Sequence, residues 1–194
     1  NSHAGYYPGA KAMVLKLIFD PKTGEILGAQ GIGTEGVDKR IDVIATAMRG
    51  GITAPELADL ELAYAPPFGS AKDPVNMLGY IAENVISGLV ETAQWNEIDG
   101  FASRGFELID VRSAGEFARG HIPGAINISV DEIRERKSEI TSKNLLVNCQ
   151  VGQRGHTAAL LLKELGFNAV NLDGGYLTWS NSPAALHDPL LVSL

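Results

Sequence analysis

Leu145-Leu146-Val147-Asn148-Cys149-Gln150-Val151-Gly152-Gln153-Arg154-Gly155 decides how the second half of this chain folds. The apolar run Leu145 to Val147 reads as a buried strand, and Ala158 to Leu165 reads as a helix. Between them lies a tight loop that begins with the chain's only cysteine. Strand, loop and helix in that order put the Cys149 sulfur at the strand's end, with the loop amides turned inward. Converging N–H groups at a helix N-terminus make an anion site, and thiols ionise more readily in such a setting. Gly152 supplies the backbone freedom that the turn uses, and Arg154 adds a fixed positive charge. Cys149 is therefore the candidate nucleophile. Gln150, Val151, Gly152, Gln153, Arg154 and Gly155 form the candidate substrate-binding loop.

Outward from this stretch, Leu108-Ile109-Asp110-Val111 and Ala169-Val170-Asn171-Leu172 are further short apolar runs. Each is followed by a helical segment, and that alternation predicts a parallel sheet covered on both faces. The first half has a different grammar. Residues 12–19 read as a buried strand, Asp20-Pro21-Lys22-Thr23-Gly24 as a turn, and Glu25 to Gln30 as the returning strand. Val37, Ile41, Ile44, Ala45 and Met48 recur at helical spacing, and Gly50-Gly51 ends that helix. Pro55 sits in the first turn of a short helix from Ala54 to Leu60. Tyr64-Ala65-Pro66-Pro67-Phe68-Gly69 is a loop. Asp73 caps a helix begun by Pro74, whose stripe of Val75, Leu78, Ala82, Val85 and Leu89 faces a core. This half is α+β, and the change of grammar falls between Gly88 and Asp99.

Gly31-Ile32-Gly33-Thr34-Glu35-Gly36 matches the dinucleotide-binding fingerprint. Its context fails the rest of the test. The preceding strand belongs to a hairpin, and after the helix no second strand ends in an acidic residue for a ribose. The glycines are expected to serve a tight strand-to-helix turn instead.

The 194 residues are 45% hydrophobic and 20% charged, the balance of an ordinary soluble globular protein. A net charge of −7 argues against nucleic-acid and anionic-membrane partners, which select basic surfaces. No run approaches the ~18 apolar residues of a membrane span, and no signal peptide is read. A single cysteine forms no internal disulfide, so the expected location is cytoplasmic. No metal-ligand set is assigned. The chain begins at Asn1 rather than at a methionine and is expected to be part of something longer.

The second half resembles a rhodanese-type sulfurtransferase domain. Asp110-Val111-Arg112 with Glu116-Phe117, then Gly120-His121-Ile122-Pro123-Gly124-Ala125, then the cysteine loop followed by Gly174-Gly175 and Trp179, carry the match in the family's order. Gln150 and Gly155 depart from that family's commonest loop, which has a basic residue after the cysteine and Ser or Thr after the arginine. An anionic donor such as thiosulfate is correspondingly disfavoured. The first half resembles the C-terminal dimerisation domain of flavin-dependent pyridine nucleotide–disulfide oxidoreductases. Gly36-Val37-Asp38-Lys39-Arg40-Ile41-Asp42, Tyr64-Ala65-Pro66-Pro67-Phe68 and Asp73-Pro74-Val75-Asn76 carry that match. The pairing is most similar to coenzyme A-disulfide reductases and their persulfide-reducing relatives with a fused rhodanese domain, which share Gln and Gly at those two loop places.

These resemblances imply an α+β dimerisation domain over residues 1–92, an α/β rhodanese-like domain with a parallel central sheet over 93–182, and a tail over 183–194. They imply a homodimer through residues 1–92 and a small-molecule persulfide or coenzyme A-type substrate. They also imply FAD and NAD(P)H in a portion that this chain lacks, so that no cofactor is bound by the chain alone. In the family, tyrosines of the dimerisation domain reach the partner subunit's active site; Tyr64 matches one such position, and Tyr6 or Tyr7 the other.

The expected chemistry is a two-step relay through a Cys149 persulfide, in which a readily ionised thiol gains most as a leaving group. A cysteine phosphatase is the rival enzyme class, but such loops hold one residue more between Cys and Arg than the four here, Gln150 to Gln153. The rival outside enzymes is an assembly and binding module with Cys149 silent. Asp110 and Arg112 read equally as an internal ion pair or as substrate contacts. His121 reads as hydrogen-bonded within its turn, and Trp95 and Trp179 as core or domain-seam aromatics.

Overall fold

A computed structural model describes residues 1–186; residues 187–194, most of the expected tail, lie outside the described residues. The chain divides into two compact units, Asn1–Gly88 and the residues from Leu89 onward.

In the first unit, β1 (Met13–Phe19) and β2 (Ile26–Gly33) form an antiparallel hairpin. β1 is not the buried strand its apolar content suggests. Its residues alternate between half-buried and exposed, because only one face of a two-stranded sheet is covered. β2 runs on past Gln30 through Gly31 and Gly33, so two of the fingerprint glycines are strand residues. Their lack of a side chain admits the next helix: a Cβ on Gly31 would stand 2.5 Å from the Val37 side chain. Only Gly36, at φ 71°, makes the turn. The space beside Gly31 and Gly33 is taken by the side chains of Val37, Leu15 and Met13.

Helix α1 (Val37–Gly50) buries Arg40, Ile44 and Ala47, while Ala45 and Met48 of the expected stripe are exposed. A turn of 3₁₀ helix, Pro55–Asp59, precedes α2 (Pro74–Ile86). Asp73 and Asn76 cap α2 reciprocally: Asp73 accepts from the Val75 N–H at 3.1 Å and Asn76 from the Asp73 N–H at 3.2 Å. Asn76 also donates to the Leu57 and Leu60 carbonyls at 3.0 and 2.9 Å, tying α2 to the 3₁₀ turn. Val75 and Ala82 face the core as the spacing predicts, whereas Leu89 lies beyond the helix and is exposed.

The second unit is built on five parallel strands in the order β3-β7-β6-β4-β5. These are β3 (Glu91–Ala93), β4 (Glu107–Asp110), β5 (Ile126–Asn127), β6 (Asn144–Asn148) and β7 (Asn168–Leu172). Helices α3 (Ile98–Ser103), α4 (Ala114–Ala118), α5 (Ile133–Arg136), α6 (Gln153–Glu164), α7 (Gly175–Ser180) and α8 (Pro183–Leu186) alternate with them. Glu91 pairs with Val170, so this sheet begins ahead of the expected 92/93 boundary. Separate apolar clusters cover the two faces, one around Ile109, Val147 and Leu162 and the other around Leu146, Leu172 and Trp179.

The strand order fixes where a site belongs. From β4 the chain moves outward to β5, then crosses back to lay β6 on the other side of β4 and continues away to β7. The direction of winding reverses between β4 and β6, and the loops leaving their C-terminal ends part there to leave a crevice. Asp110 and Asn148 are register partners at those two ends, so the residues after each strand become neighbours.

Candidate functional site

Cys149 is the first residue beyond β6, and its sulfur accepts a hydrogen bond from the Gly152 N–H at 3.1 Å. The thiol is not displayed on the surface as reactivity leads one to expect. It is 1% exposed, because its side chain lies on the α6 side of the sheet beneath its own loop. The loop tip, Val151, is 55% exposed.

Two features of α7 hold the loop. The Tyr176 N–H donates to the Cys149 carbonyl at 2.7 Å, and the Leu177 N–H to the Gln150 carbonyl at 3.0 Å. With those carbonyls turned toward α7, the amides that follow them point the other way across planar trans peptides. The approach requires glycine at 175, where φ is 57° and a Cβ would collide with the Cys149 carbonyl oxygen and the Gln150 backbone. From β7, Asn171 donates to the Gly152 carbonyl at 3.2 Å. A Cβ on Gly155 would collide with the same Asn171 side chain, which gives a steric reason for glycine at that place. Gly152 itself sits at φ 100°. Helix α6 begins at Gln153, so Gln153, Arg154 and Gly155 are its first turn, earlier than the predicted start at Ala158.

Arg112 is the clamp between the two strand ends. It forms a buried ion pair with Asp110 at 2.8 Å, with side-chain exposures of 2% and 0%. It also donates to the Gly120 carbonyl at 2.7 Å and to Gln150 Oε1 at 3.2 Å, and lies 4.1 Å over the Tyr176 ring. With its donors spent inside the protein, Arg112 acts as an internal strut; of the two readings open in the sequence, this is the one the geometry favours. Gln150 is thereby fixed by its side chain as well as its carbonyl.

Arg154 turns to Glu116 on α4 and makes two hydrogen bonds, at 2.8 and 2.6 Å. The Ser113 N–H and hydroxyl also reach Glu116, at 3.0 and 2.9 Å, in a capping box at the start of α4. The Arg154 guanidinium, above all, holds the Glu116 carboxyl well below the usual carboxylate range. Burial pushes His156, in the first turns of α6, below its ordinary value. His121 Nδ1 lies 3.1 Å from the Phe117 carbonyl with its ring stacked on Phe117, and Trp179 is buried in the core as expected.

The tyrosines belong to the first unit. Tyr6 and Tyr64 join hydroxyl to hydroxyl at 2.8 Å while remaining 76% and 49% exposed. The bond to Tyr64 raises the Tyr6 phenol above its ordinary value. Tyr7 instead packs edge-on against His3. Of the two candidates, Tyr6 is therefore the one that meets Tyr64.

The sequence reading passed over three side chains that shape the loop: Asn171, Tyr176 and Glu116 in its pairing role. Two had a signal. Ser113-x-x-Glu116 is a legible capping box, and an asparagine inside the apolar run of β7 needs a buried partner. Tyr176 had none.

Residues 93–182 match the rhodanese-like domain family, and residues 1–74 match the pyridine nucleotide-disulphide oxidoreductase dimerisation domain. A coenzyme A disulfide reductase of Staphylococcus aureus (strain bovine RF122 / ET3-1) is 48% identical over 82 residues, 42% of this chain and 19% of that protein. The solved structure of reduced Bacillus anthracis CoADR-RHD is 51% identical with a TM-score of 0.89, covering 93% of this chain and 32% of that one. A NAD-dependent persulfide reductase from A. fulgidus is 39% identical with a TM-score of 0.81, covering 92% and 32%. The chain thus spans about a third of the length of these solved relatives and a fifth of the curated one.

Proposed function

Because this chain joins a pyridine nucleotide-disulphide oxidoreductase dimerisation domain to a rhodanese-like domain, we propose that Cys149 accepts sulfane sulfur and passes it on within a flavin-dependent coenzyme A-disulfide or persulfide reductase. The observation that carries the reading is the Cys149 loop at the switch point, where the sulfur meets the Gly152 amide at 3.1 Å and α7 fixes two loop carbonyls. In the first step the Cys149 thiolate attacks the outer sulfur of an organic persulfide R–S–SH. The new bond is Cys149–S–SH, the old S–S bond breaks, and its electron pair leaves on R–S⁻. In the second step an acceptor thiolate takes the outer sulfur and the pair returns to Cys149 as thiolate. The Gly152 N–H, which donates to that sulfur at 3.1 Å, stabilises the anion in both steps.

FAD, NAD(P)H and coenzyme A belong, in this reading, to the longer protein and to residues outside this chain. Residues 1–92 form a homodimer there, and the hydrogen-bonded Tyr6 and Tyr64 are the groups offered to the partner subunit's active site. No helix among the described residues is long and apolar enough to cross a membrane, and the net charge of −7 speaks against a nucleic-acid partner.

The near-complete burial of Cys149 is the observation on the side of a silent rhodanese domain. Thiol release separates the two readings. Mixed with an alkyl persulfide, the chain should release one equivalent of R–SH per cysteine, and the Cys149→Ser variant none. Equal release from both proteins would leave the silent module standing.

A further inference from the structure

We infer that Gln150 reads the organic arm of the sulfur donor: its carboxamide, oriented by Arg112, gives its N–H hydrogens to an amide carbonyl of the arm, as a coenzyme A-type persulfide carries it close to the sulfur. The inference rests on sulfur acceptance at Cys149 and adds to it the part of the donor that is recognised and the residue that recognises it.

Gln150 follows the cysteine directly and is held twice. Its carbonyl accepts from the Leu177 N–H at 3.0 Å, and Arg112 Nη1 reaches its side chain at 3.2 Å. A guanidinium only donates, so the carboxamide must turn its oxygen toward Arg112 and its nitrogen away. Arg112 is itself locked. Its Nε and Nη2 lie 3.0 and 2.8 Å from the Asp110 carboxylate, and Nη2 also donates to the Gly120 carbonyl at 2.7 Å. The charge of Arg112 on Oε1 polarises the carboxamide and makes its N–H hydrogens better donors. Among the described residues none accepts from them, and Gln150 is half-buried with a nitrogen that is not sealed from solvent. Two oriented, unspent donors therefore stand on the residue next to the reacting sulfur.

Neutral donors suit a neutral acceptor, and a coenzyme A-type thiol supplies one, an amide joined to its sulfur through an ethylene link. Val151, next in the loop, and Leu177 are 55% and 41% exposed and offer apolar surface to the methylenes. A basic side chain in place of Gln150, as in the commonest rhodanese loop, would meet Arg112 as a like charge and bring it no acceptor. Glutamine satisfies Arg112 and still presents a donor. In the transfer itself Cys149–S⁻ attacks the outer sulfur of R–S–SH, Cys149–S–SH forms, and the electron pair of the broken S–S bond leaves on R–S⁻. Gln150 touches the arm R and neither reacting sulfur, so its part is specificity.

The test compares sulfur loading onto Cys149 from N-acetylcysteamine persulfide, which carries the amide and the ethylene link, and from butyl persulfide, which has no amide. It uses the 194-residue chain and two variants. Gln150→Glu keeps an oxygen for Arg112 and removes the N–H donors; Gln150→Met removes both. The amide-to-alkyl rate ratio should fall about fivefold in each, the size of one hydrogen bond between uncharged groups. The ratio cancels differences in folded protein and any general effect of the glutamate charge on Cys149. A fall in Gln150→Met alone would show that only the contact with Arg112 matters, and a fall in Gln150→Glu alone that only the new charge does. Either result, or an unchanged ratio in both, overturns the role of Gln150 while a loading parent leaves sulfur acceptance standing. A parent chain that loads from neither persulfide overturns the sulfur-acceptance reading beneath it.

Discussion

Each unit of this protein buries one arginine against one aspartate, and the two pairs hold different things. In the first unit Arg40 meets Asp73 at 2.7 Å and reaches the carbonyls of Ser2 and Gly36 at 2.8 and 3.1 Å. It ties the N-terminal segment to the α1 turn and the α2 cap, and Tyr6 of that segment stands out in solvent against Tyr64. In the second unit Arg112 meets Asp110 at 2.8 Å and reaches a loop side chain, Gln150, and the Gly120 carbonyl. The same device holds backbone in one unit and the border of the cysteine loop in the other. A buried ion pair is weak evidence for net stability, but losing one partner strands a charge. What each arginine additionally grips therefore decides the functional consequence of removing it.

The comparison breaks most sharply at those arginines. Replacing Arg112 with Met should destabilise the second unit by about 3–5 kcal/mol, because Asp110 is left charged and buried, and should abolish sulfur loading. Arg40→Met should cost the first unit a similar amount and leave loading at Cys149 intact. Urea unfolding combined with a loading assay reads both; equal loss of loading in the two variants would mean that the arginines do not have separate jobs. Gly175→Ala comes next. It forces a Cβ into the Cys149 carbonyl at φ 57°, and at about 1–3 kcal/mol for the backbone conformation alone it should reduce loading more than it lowers the melting temperature.

Much of the second unit was legible because its three central strands are continuous apolar runs buried on both faces. β3 and β5 were not, since three and two residues carry no period and are strands only through their neighbours. The early start of α6 was hidden by Gln153 and Gly155, since glycine is a poor helix former; there the first turn is held by Asn171 and the loop. In the first unit the glycine pattern promised a turn and delivered a strand, because the demand on Gly31 and Gly33 comes from Val37 packing across them. The cysteine, its loop and the Arg were readable from order alone. The grips of Arg112 on Gln150 and of Glu116 on Arg154 join residues 38 apart and needed the fold.

Smaller effects sharpen the contrast between the units. The Glu116 carboxyl is held below its ordinary 4.5 chiefly by Arg154. A depressed folded value means that its stabilisation is present above that ordinary value and is lost as pH falls through the folded one, in strong acid. The pair is partly exposed, so its contribution is about 1 kcal/mol at most. Glu116→Gln should flatten only that acidic limb of a stability-versus-pH curve, and a change at neutral pH of several kcal/mol would contradict the account. Tyr6→Phe should be the mildest change. It removes a solvent-exposed hydroxyl contact, so stability should move by less than about 0.5 kcal/mol with sulfur loading unchanged; a large loss of stability would show the tyrosine pair to be a structural tie like the arginines.

The most direct test of the central claim is the mass of the Cys149 peptide after the chain has been exposed to an organic persulfide and trapped. The account predicts a gain of one sulfur atom on Cys149, removed again by an acceptor thiol. An unmodified Cys149 under conditions that load other rhodanese domains would contradict it.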